Sequence, residues 1–83
     1  MESGGCVYIM TNLANTVLYV GVSSDLYSRV YDHRNKTYPN SFTAQYNCVK
    51  LVYYQQFTTI EEAIDREKQL KNWAERLEDQ LDK

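Results

Sequence analysis

One acidic and one basic side chain lie on helix faces that are otherwise apolar. At helical spacing Glu67 shares a face with Leu70, and Arg29 shares a face with Leu26. Burying a charged group costs several kcal/mol unless it is paired or meets a ligand of opposite charge. Two interpretations are therefore open. Arg29 and Glu67 form a buried structural ion pair, or both line a cleft.

The cleft interpretation corresponds to hydrolysis of a phosphodiester. A glutamate oxygen is a hard ligand that suits Mg²⁺ or Mn²⁺. An arginine fork matches a phosphate and the negative charge that develops on it. A tyrosine can orient a water molecule, or deprotonate it if its pKa is lowered. With one metal ion, such a set suffices for one-metal hydrolysis.

The segments that must position these groups begin with a predicted β-hairpin. Residues 6–10 and 17–22 are rich in β-branched and aromatic side chains. Residues 11–16 between them are polar and contain two asparagines, which is typical of a turn.

Alternation along the hairpin separates two kinds of side chain. One set is aliphatic and should face the core helices: Val7, Ile9, Leu18, Val20 and Val22. Tyr8 and Tyr19 should project together from the opposite face, with Gly21 leaving open space beside them.

A first helix is predicted from a cap at Ser24 or Asp25 to about Arg34. Four residues share one stripe of it: Leu26, Arg29, Val30 and His33. Residues 38–40 break the chain, and residues 41–47 predict a short helical turn.

Residues 49–57 predict a third strand, in which Leu51 and Tyr53 share a face. Thr59 and Glu62 have the spacing of a capping box, which predicts the start of another helix. This helix either continues or bends near Trp73, which we interpret as an anchor that packs the last helix onto the body.

Composition limits the function classes. The 83 residues allow one small domain, over residues 1–83. A net charge of −2 and a pI near 5.2 are not typical of a protein that binds phosphate backbones non-specifically. Four of the 11 acidic residues but two of the nine basic ones fall in an acidic C-terminal helix or tail, residues 75–83. A local basic face can still form from Arg29, Arg34, Lys36 and Lys50. We therefore expect weak or shape-dependent nucleic-acid binding.

Neither a membrane span nor a secretory signal is visible, because no apolar run approaches the roughly 20 residues that a span needs. Cys6 and Cys48 lack metal-site spacing. They predict free, partly buried thiols in a cytoplasmic protein.

The motifs resemble those of the GIY-YIG nuclease superfamily. Residues 6–8 (Cys-Val-Tyr) and 19–21 (Tyr-Val-Gly) are similar to its paired naming motifs, and Cys6 stands where the first motif has glycine. Residues 25–33 resemble the first helix of that family, and residues 63–67 resemble its later helix with a metal-binding glutamate. Residues 42–43 and 50–54 resemble its small bacterial single-domain branch.

The resemblance implies an α+β fold: a three-stranded antiparallel sheet flanked by helices, in the order β-β-α-(α)-β-α-α. It also implies an endonuclease with one Mg²⁺ or Mn²⁺ ion that cuts DNA, on branched or damaged structures. The implied catalytic residues are Tyr8, Tyr19, Arg29, His33 and Glu67, with Glu67 as metal ligand. Gly21 is implied to keep room for substrate, and we add Arg34 and Lys36 as substrate contacts.

Other interpretations stay open. The domain could retain the site and act as a non-catalytic module that binds nucleic acid or a partner protein. It could instead dock a partner through its acidic tail, with Arg29 and Glu67 as a plain ion pair. Tyr8 and Tyr19 could be packing residues alone, and His33 could be a structural residue with both ring nitrogens satisfied.

Overall fold

The fold is described from a computed structural model that places residues 4–81, with side chains through residue 76. In chain order the elements are β1 (Gly5–Thr11), β2 (Leu18–Ser23), α1 (Leu26–Asn35), α2 (Phe42–Gln45), β3 (Lys50–Phe57) and α3 (Ile60–Leu81). The predicted α+β class and antiparallel sheet are confirmed.

The central strand of the sheet is β1, and β2 is an edge strand, in the order β2-β1-β3. Strands β1 and β2 form the predicted hairpin, with Tyr8 opposite Gly21 and Met10 opposite Tyr19. Asn12 closes the turn, because its side-chain oxygen accepts from the backbone amides of Thr16 and Val17, at 2.8 and 3.0 Å.

Helices cover both faces of this sheet. The face toward α3 holds the predicted aliphatic set, and its buried members, Val7, Ile9 and Val20, pack with Leu70. The other face, toward α1, holds Tyr8, Met10 and Cys48, with Tyr19, Leu26 and Val30 packed against them. The prediction that separates the two faces is therefore confirmed.

Strand β3 departs from the predicted alternation. Ile9 pairs with Tyr53 while Met10 pairs with Leu51, so Val52 is an extra residue in a β-bulge. The bulge turns Leu51 toward α1 and Tyr53 toward α3. The prediction that these two residues share a face is wrong, because the extra residue shifts the period-two pattern.

The helix ends agree with the sequence signals. The Asp25 side chain caps α1 by accepting from the Ser28 amide at 3.2 Å. Thr59 and Glu62 form the predicted capping box at the start of α3, with reciprocal bonds of 3.2 and 3.3 Å.

Helix α3 runs without interruption to Leu81, so the alternative in which the helix continues past Trp73 is confirmed, and one final helix stands where the resemblance implied two. Neither glycine nor proline occurs between residues 60 and 81, and nothing in that segment forces a bend. Trp73 is half-exposed and lines a groove with Val52 and Tyr53, at the far side of the sheet from α1. Residues 82–83 of the expected acidic tail lie outside the described residues.

Both cysteines are free, as predicted, and they are fully buried where partial burial was expected. Within residues 4–81, no helix has the length and apolar character to cross a membrane.

Candidate active site

A buried hydrogen-bonded chain joins the first strand, the first helix and the short helix α2. The Tyr8 hydroxyl lies 2.9 Å from Nε2 of His33, and Nδ1 of His33 lies 2.8 Å from Oγ1 of Thr43. The Ser41 hydroxyl, which caps α2, continues the chain 3.3 Å beyond Thr43. Tyr8, His33 and Thr43 are 1%, 6% and 2% exposed, so these bonds are shielded from water.

Arg29 completes this cluster from the same helix as His33, one turn earlier. Its guanidinium interacts with the Tyr8 hydroxyl, and this interaction raises the pKa of Arg29. Asp32 adds a favourable charge interaction with the same guanidinium.

The protonation states follow from burial and from Arg29. Burial raises the pKa of Tyr8 above its ordinary value, and the hydrogen bond from Arg29 opposes part of that rise. Burial lowers the pKa of His33, and the positive charge of Arg29 lowers it further. At neutral pH the cluster therefore holds a protonated tyrosine beside a neutral imidazole.

Gly21 accommodates this cluster instead of leaving open space. A Cβ at this position would lie 2.6 Å from both Cζ and the hydroxyl oxygen of Tyr8, and 2.9 Å from Cε2 of Tyr19. The expectation of open space beside the tyrosines is wrong, since the end of the Tyr8 ring fills it. Any side chain at Gly21 would force the Tyr8 ring to move.

An open cleft of about 390 Å³ lies above the buried cluster. Its lining comes from β2, α1 and the segment that leads into α2: Tyr19, Arg29, Asp32, His33, Tyr38, Ser41, Phe42 and Thr43. Tyr19 is the motif tyrosine that reaches this lining, whereas Tyr8 lies beneath it. The structure thus brings together Tyr8, Tyr19, Arg29 and His33.

Exposed aromatic rings extend from the cleft. The Tyr19 and Phe42 rings stack with centroids 6.0 Å apart, and Phe42 meets Tyr46 at 4.6 Å. Phe42 and Tyr46 are 46% and 51% exposed, and Tyr38 on the cleft wall is 58% exposed. Aromatic faces that stand free in water beside a cleft are typical platforms for stacking bases.

Glu67 lies outside the cleft lining, on α3. One of its carboxylate oxygens forms an ion pair with Nζ of Lys71 at 3.2 Å, and its side chain is 20% exposed. Lys71 lines a second depression with Tyr19 and Phe42, at the edge of β2. Glu67 is therefore one helical turn before Lys71, which lines this depression beside Tyr19 and Phe42.

The alternative of a buried Arg29–Glu67 ion pair does not agree with these contacts. Among the residues with described side chains, the charge on Arg29 interacts with Tyr8 and Asp32, whereas Glu67 pairs with Lys71. Arg29 and Glu67 thus have different partners.

The expected basic substrate contacts lie outside the cleft. Arg34 and Lys36 are exposed near the end of α1, and Nζ of Lys36 donates to the side chain of Asn47 at 2.5 Å. Arg29 is the one basic side chain among the cleft-lining residues.

The surroundings of Glu67 suit a single Mg²⁺ or Mn²⁺ ion bound by one carboxylate better than a metal bound by several protein ligands. Within residues 4–76, no group of three or more His, Cys, Asp and Glu side chains is placed to hold a metal. Mg²⁺ often binds through one or two carboxylates and keeps several waters, with substrate phosphate filling other positions. A single glutamate suits that pattern, whereas structural zinc requires four protein ligands.

Thr43, Ser41 and Asp32 are site residues that the sequence interpretation missed. Periodicity cannot bring residue 43 beside residue 33, because the intervening loop sets their approach. The adjacent Phe42 and Thr43 carried part of the family resemblance, which was the signal in the sequence that linked this segment to the site.

Comparison with known proteins gives one match. The model of the GIY-YIG catalytic domain family matches residues 4–80. Searches of curated proteins and of solved structures found no match. The family match spans the hairpin with both tyrosines, the helix with Arg29 and His33, and the helix with Glu67. The chain therefore belongs to the GIY-YIG superfamily of nucleases.

Proposed function

We propose that this protein is a divalent-metal-dependent endonuclease that hydrolyses DNA phosphodiester bonds in branched or damaged structures. The observation that carries the proposal is the Tyr8–His33 hydrogen bond beside Arg29, beneath an open cleft. Tyr8 and the neutral imidazole of His33 form a pair that can accept a proton. The cation of Arg29 beside them can bind a phosphate.

In this proposal the two motif tyrosines have different roles. Tyr19, on the cleft wall, orients the attacking water. Tyr8 accepts the proton of that water as its own proton moves to Nε2 of His33, which is 2.9 Å away. His33 becomes an imidazolium, and the resulting hydroxide attacks phosphorus. The bond from phosphorus to the leaving sugar oxygen breaks, and that oxygen takes up a proton from solvent.

Arg29 links substrate binding to this step. In the free protein its guanidinium interacts with the Tyr8 hydroxyl and opposes part of the rise in the pKa of Tyr8. A bound phosphate offers the guanidinium a charged, bidentate partner. Arg29 then turns to the phosphate, frees the Tyr8 oxygen, and stabilises the charge that develops in the transition state.

Glu67 is the proposed ligand for Mg²⁺ or Mn²⁺. When bound there, the ion would neutralise charge on the phosphate oxygens. Lys71 holds one oxygen of Glu67 in the free protein and would be displaced from it.

The surface around the cleft favours DNA with unpaired bases over regular duplex. A single basic residue among those that line the cleft gives weak attraction to the backbone, which agrees with the net charge of −2. Phe42, Tyr46 and Tyr38 offer exposed rings on which bases freed by a branch, nick or lesion can stack. We place this activity in the cytoplasm, where buried free thiols such as Cys6 and Cys48 persist.

A second candidate function is a binding module that keeps the site without cutting. The acidic balance and the ion pair of Glu67 with Lys71 favour it, because both oppose the approach of a metal–phosphate complex. Nucleic acid or a partner protein would then bind over the same aromatic surface.

Cleavage of branched, nicked and linear DNA with Mg²⁺ or Mn²⁺ separates these functions. Wild type should cut at least one branched or damaged substrate, and Glu67→Gln should lower kcat by about 100-fold or more. Asp65→Asn, an exposed position on the same helix, is the matched control and should cut like wild type.

Binding measured at low salt without metal completes the test. DNA binding with no cutting by wild type would support the binding module and contradict the endonuclease. Equal cutting by wild type and Glu67→Gln would remove Glu67 from the reaction. No binding to any DNA at low salt would contradict the endonuclease and the nucleic-acid form of the binding module, and would leave a partner protein as the ligand.

A further inference from the structure

The hydrogen bonds of Tyr8 can be given a direction. Tyr8 is 1% exposed, so the proton of its buried hydroxyl needs an acceptor within the protein. Among the described residues, the partner within reach is Nε2 of His33 at 2.9 Å. Tyr8 therefore donates to His33, and Nε2 is an unprotonated acceptor.

The other ring nitrogen of His33 is then fixed as well. A neutral imidazole with a free Nε2 carries its proton on Nδ1. Nδ1 lies 2.8 Å from Oγ1 of Thr43, so it donates to that oxygen. In the opposite tautomer Nε2 would carry a proton and donate it to the Tyr8 oxygen. The hydroxyl proton of Tyr8 would then have no acceptor among the described residues.

Thr43 is held firmly in the position that this bond needs. Its side chain is 2% exposed, and it lies in the first turn of α2, which Ser41 caps. Its carbonyl accepts from the Cys48 amide at 2.8 Å, which anchors the backbone on the far side. The hydroxyl oxygen thus has little freedom to leave His33.

We infer that Thr43 is a positioning residue whose hydroxyl holds His33 in the tautomer that can take the Tyr8 proton. This inference rests on the proposed function for its effect on cutting, but the tautomer itself is a property of the free protein. Outer partners that orient a functional histidine typically change activity by about 10- to 100-fold when removed. The wrong tautomer leaves His33 in place but unable to accept.

The test compares Thr43→Val, which keeps the shape and removes the hydroxyl, with Thr43→Ser, which keeps the hydroxyl. His33 is the one histidine in the chain, so the ring nitrogen signals in a ¹⁵N NMR spectrum are unambiguous. Wild type and Thr43→Ser should show protonated Nδ1 and unprotonated Nε2 at neutral pH. Thr43→Val should show a large population with the proton on Nε2.

Cleavage kinetics supply the second readout. Thr43→Val should lower kcat by about 10- to 100-fold with a much smaller change in KM, and Thr43→Ser should recover most of it. Thr58→Val, at an exposed threonine before α3, controls for loss of a hydroxyl elsewhere and should match wild type.

The outcomes separate this inference from the proposed function. If Thr43→Val keeps Nδ1 protonated, the inference is wrong whatever the cleavage rate. If Thr43→Val unfolds, the tautomer of Thr43→Ser decides, and a proton on Nε2 in that variant would overturn the inference. If the tautomer changes as expected but wild type does not cut DNA, the assignment of Thr43 stands and the endonuclease proposal fails.

Discussion

The two faces of one three-stranded sheet are built from different chemistry. Toward α3, aliphatic side chains such as Val7 and Ile9 pack on Leu70. Toward α1, the buried residues include Tyr8, His33 and Thr43, joined by hydrogen bonds. Apolar packing tolerates small adjustments in position, whereas each bond of a buried polar chain depends on its neighbours. The α3 face thus stabilises the fold, and the α1 face holds reactive groups in fixed positions.

The largest loss of stability is expected for a substitution on the α3 face. Leu70→Ala removes a side chain that is 9% exposed from the aliphatic cluster and should lower the free energy of unfolding by about 2–5 kcal/mol. For a domain of 83 residues that is a large part of the total. Urea titration measures the change, and Gln69→Ala at the exposed neighbouring position is the control.

If the two faces are separable, Leu70→Ala should leave the His33 ring signals unchanged wherever the variant is folded. A changed tautomer in folded Leu70→Ala would mean that the aliphatic face also positions the polar chain, and the contrast between the faces would not hold.

A smaller loss of stability is expected for a substitution at Gly21, where the α1 face is crowded. Gly21→Ala places a methyl group 2.6 Å from the Tyr8 hydroxyl oxygen, so the Tyr8 ring must move. We expect a loss of about 1–3 kcal/mol, the usual cost of overpacking. The displaced hydroxyl should also break its bond to His33, which the ring nitrogen signals would report.

A double-mutant cycle tests the cause of that loss. Tyr8→Phe removes the hydroxyl oxygen that the new methyl group meets, so Gly21→Ala should cost less in the Tyr8→Phe background. Equal costs in the two backgrounds would attribute the loss to the ring carbons that both proteins keep, Cζ of residue 8 at 2.6 Å and Cε2 of Tyr19 at 2.9 Å.

Much of the fold could be predicted because its signals are local. The cap at Asp25, the capping box of Thr59 with Glu62, and the split of the hairpin into two faces each depend on residues within a few positions of one another. Local geometry of that kind follows directly from residue type and spacing.

The features that could not be predicted depend on segments that meet only in the folded chain. The bulge at Val52 is set by how β3 pairs with β1, and it places Leu51 and Tyr53 on opposite faces of the sheet. The space beside Gly21 is filled by a ring from the neighbouring strand. Thr43 reaches His33 through a loop without periodicity. In each case tertiary contacts overrode a local pattern.

The smallest expected effect is the pH dependence of stability, which should come from His33 on the α1 face and not from the apolar residues on the α3 face. Burial and Arg29 lower the pKa of His33 in the folded protein below its ordinary value of 6.5. Below that value the unfolded chain binds the proton more readily than the folded protein, so protonation favours unfolding. The stabilisation is fully present above about pH 6.5 and is lost as pH falls through the lowered pKa, with a slope of at most about 1.4 kcal/mol per pH unit for one proton.

Urea titrations from pH 8 to pH 5 should therefore show a fall in stability for wild type that is weaker in His33→Gln. The comparison between the two proteins cancels the titration of carboxylates, which both contain. Leu70→Ala should keep the wild-type slope, because Leu70 and the apolar side chains around it do not titrate. If His33→Gln instead keeps the full slope, His33 is not held neutral by the fold. The polar chain on the α1 face would then lack the proton acceptor on which the contrast between the two faces depends.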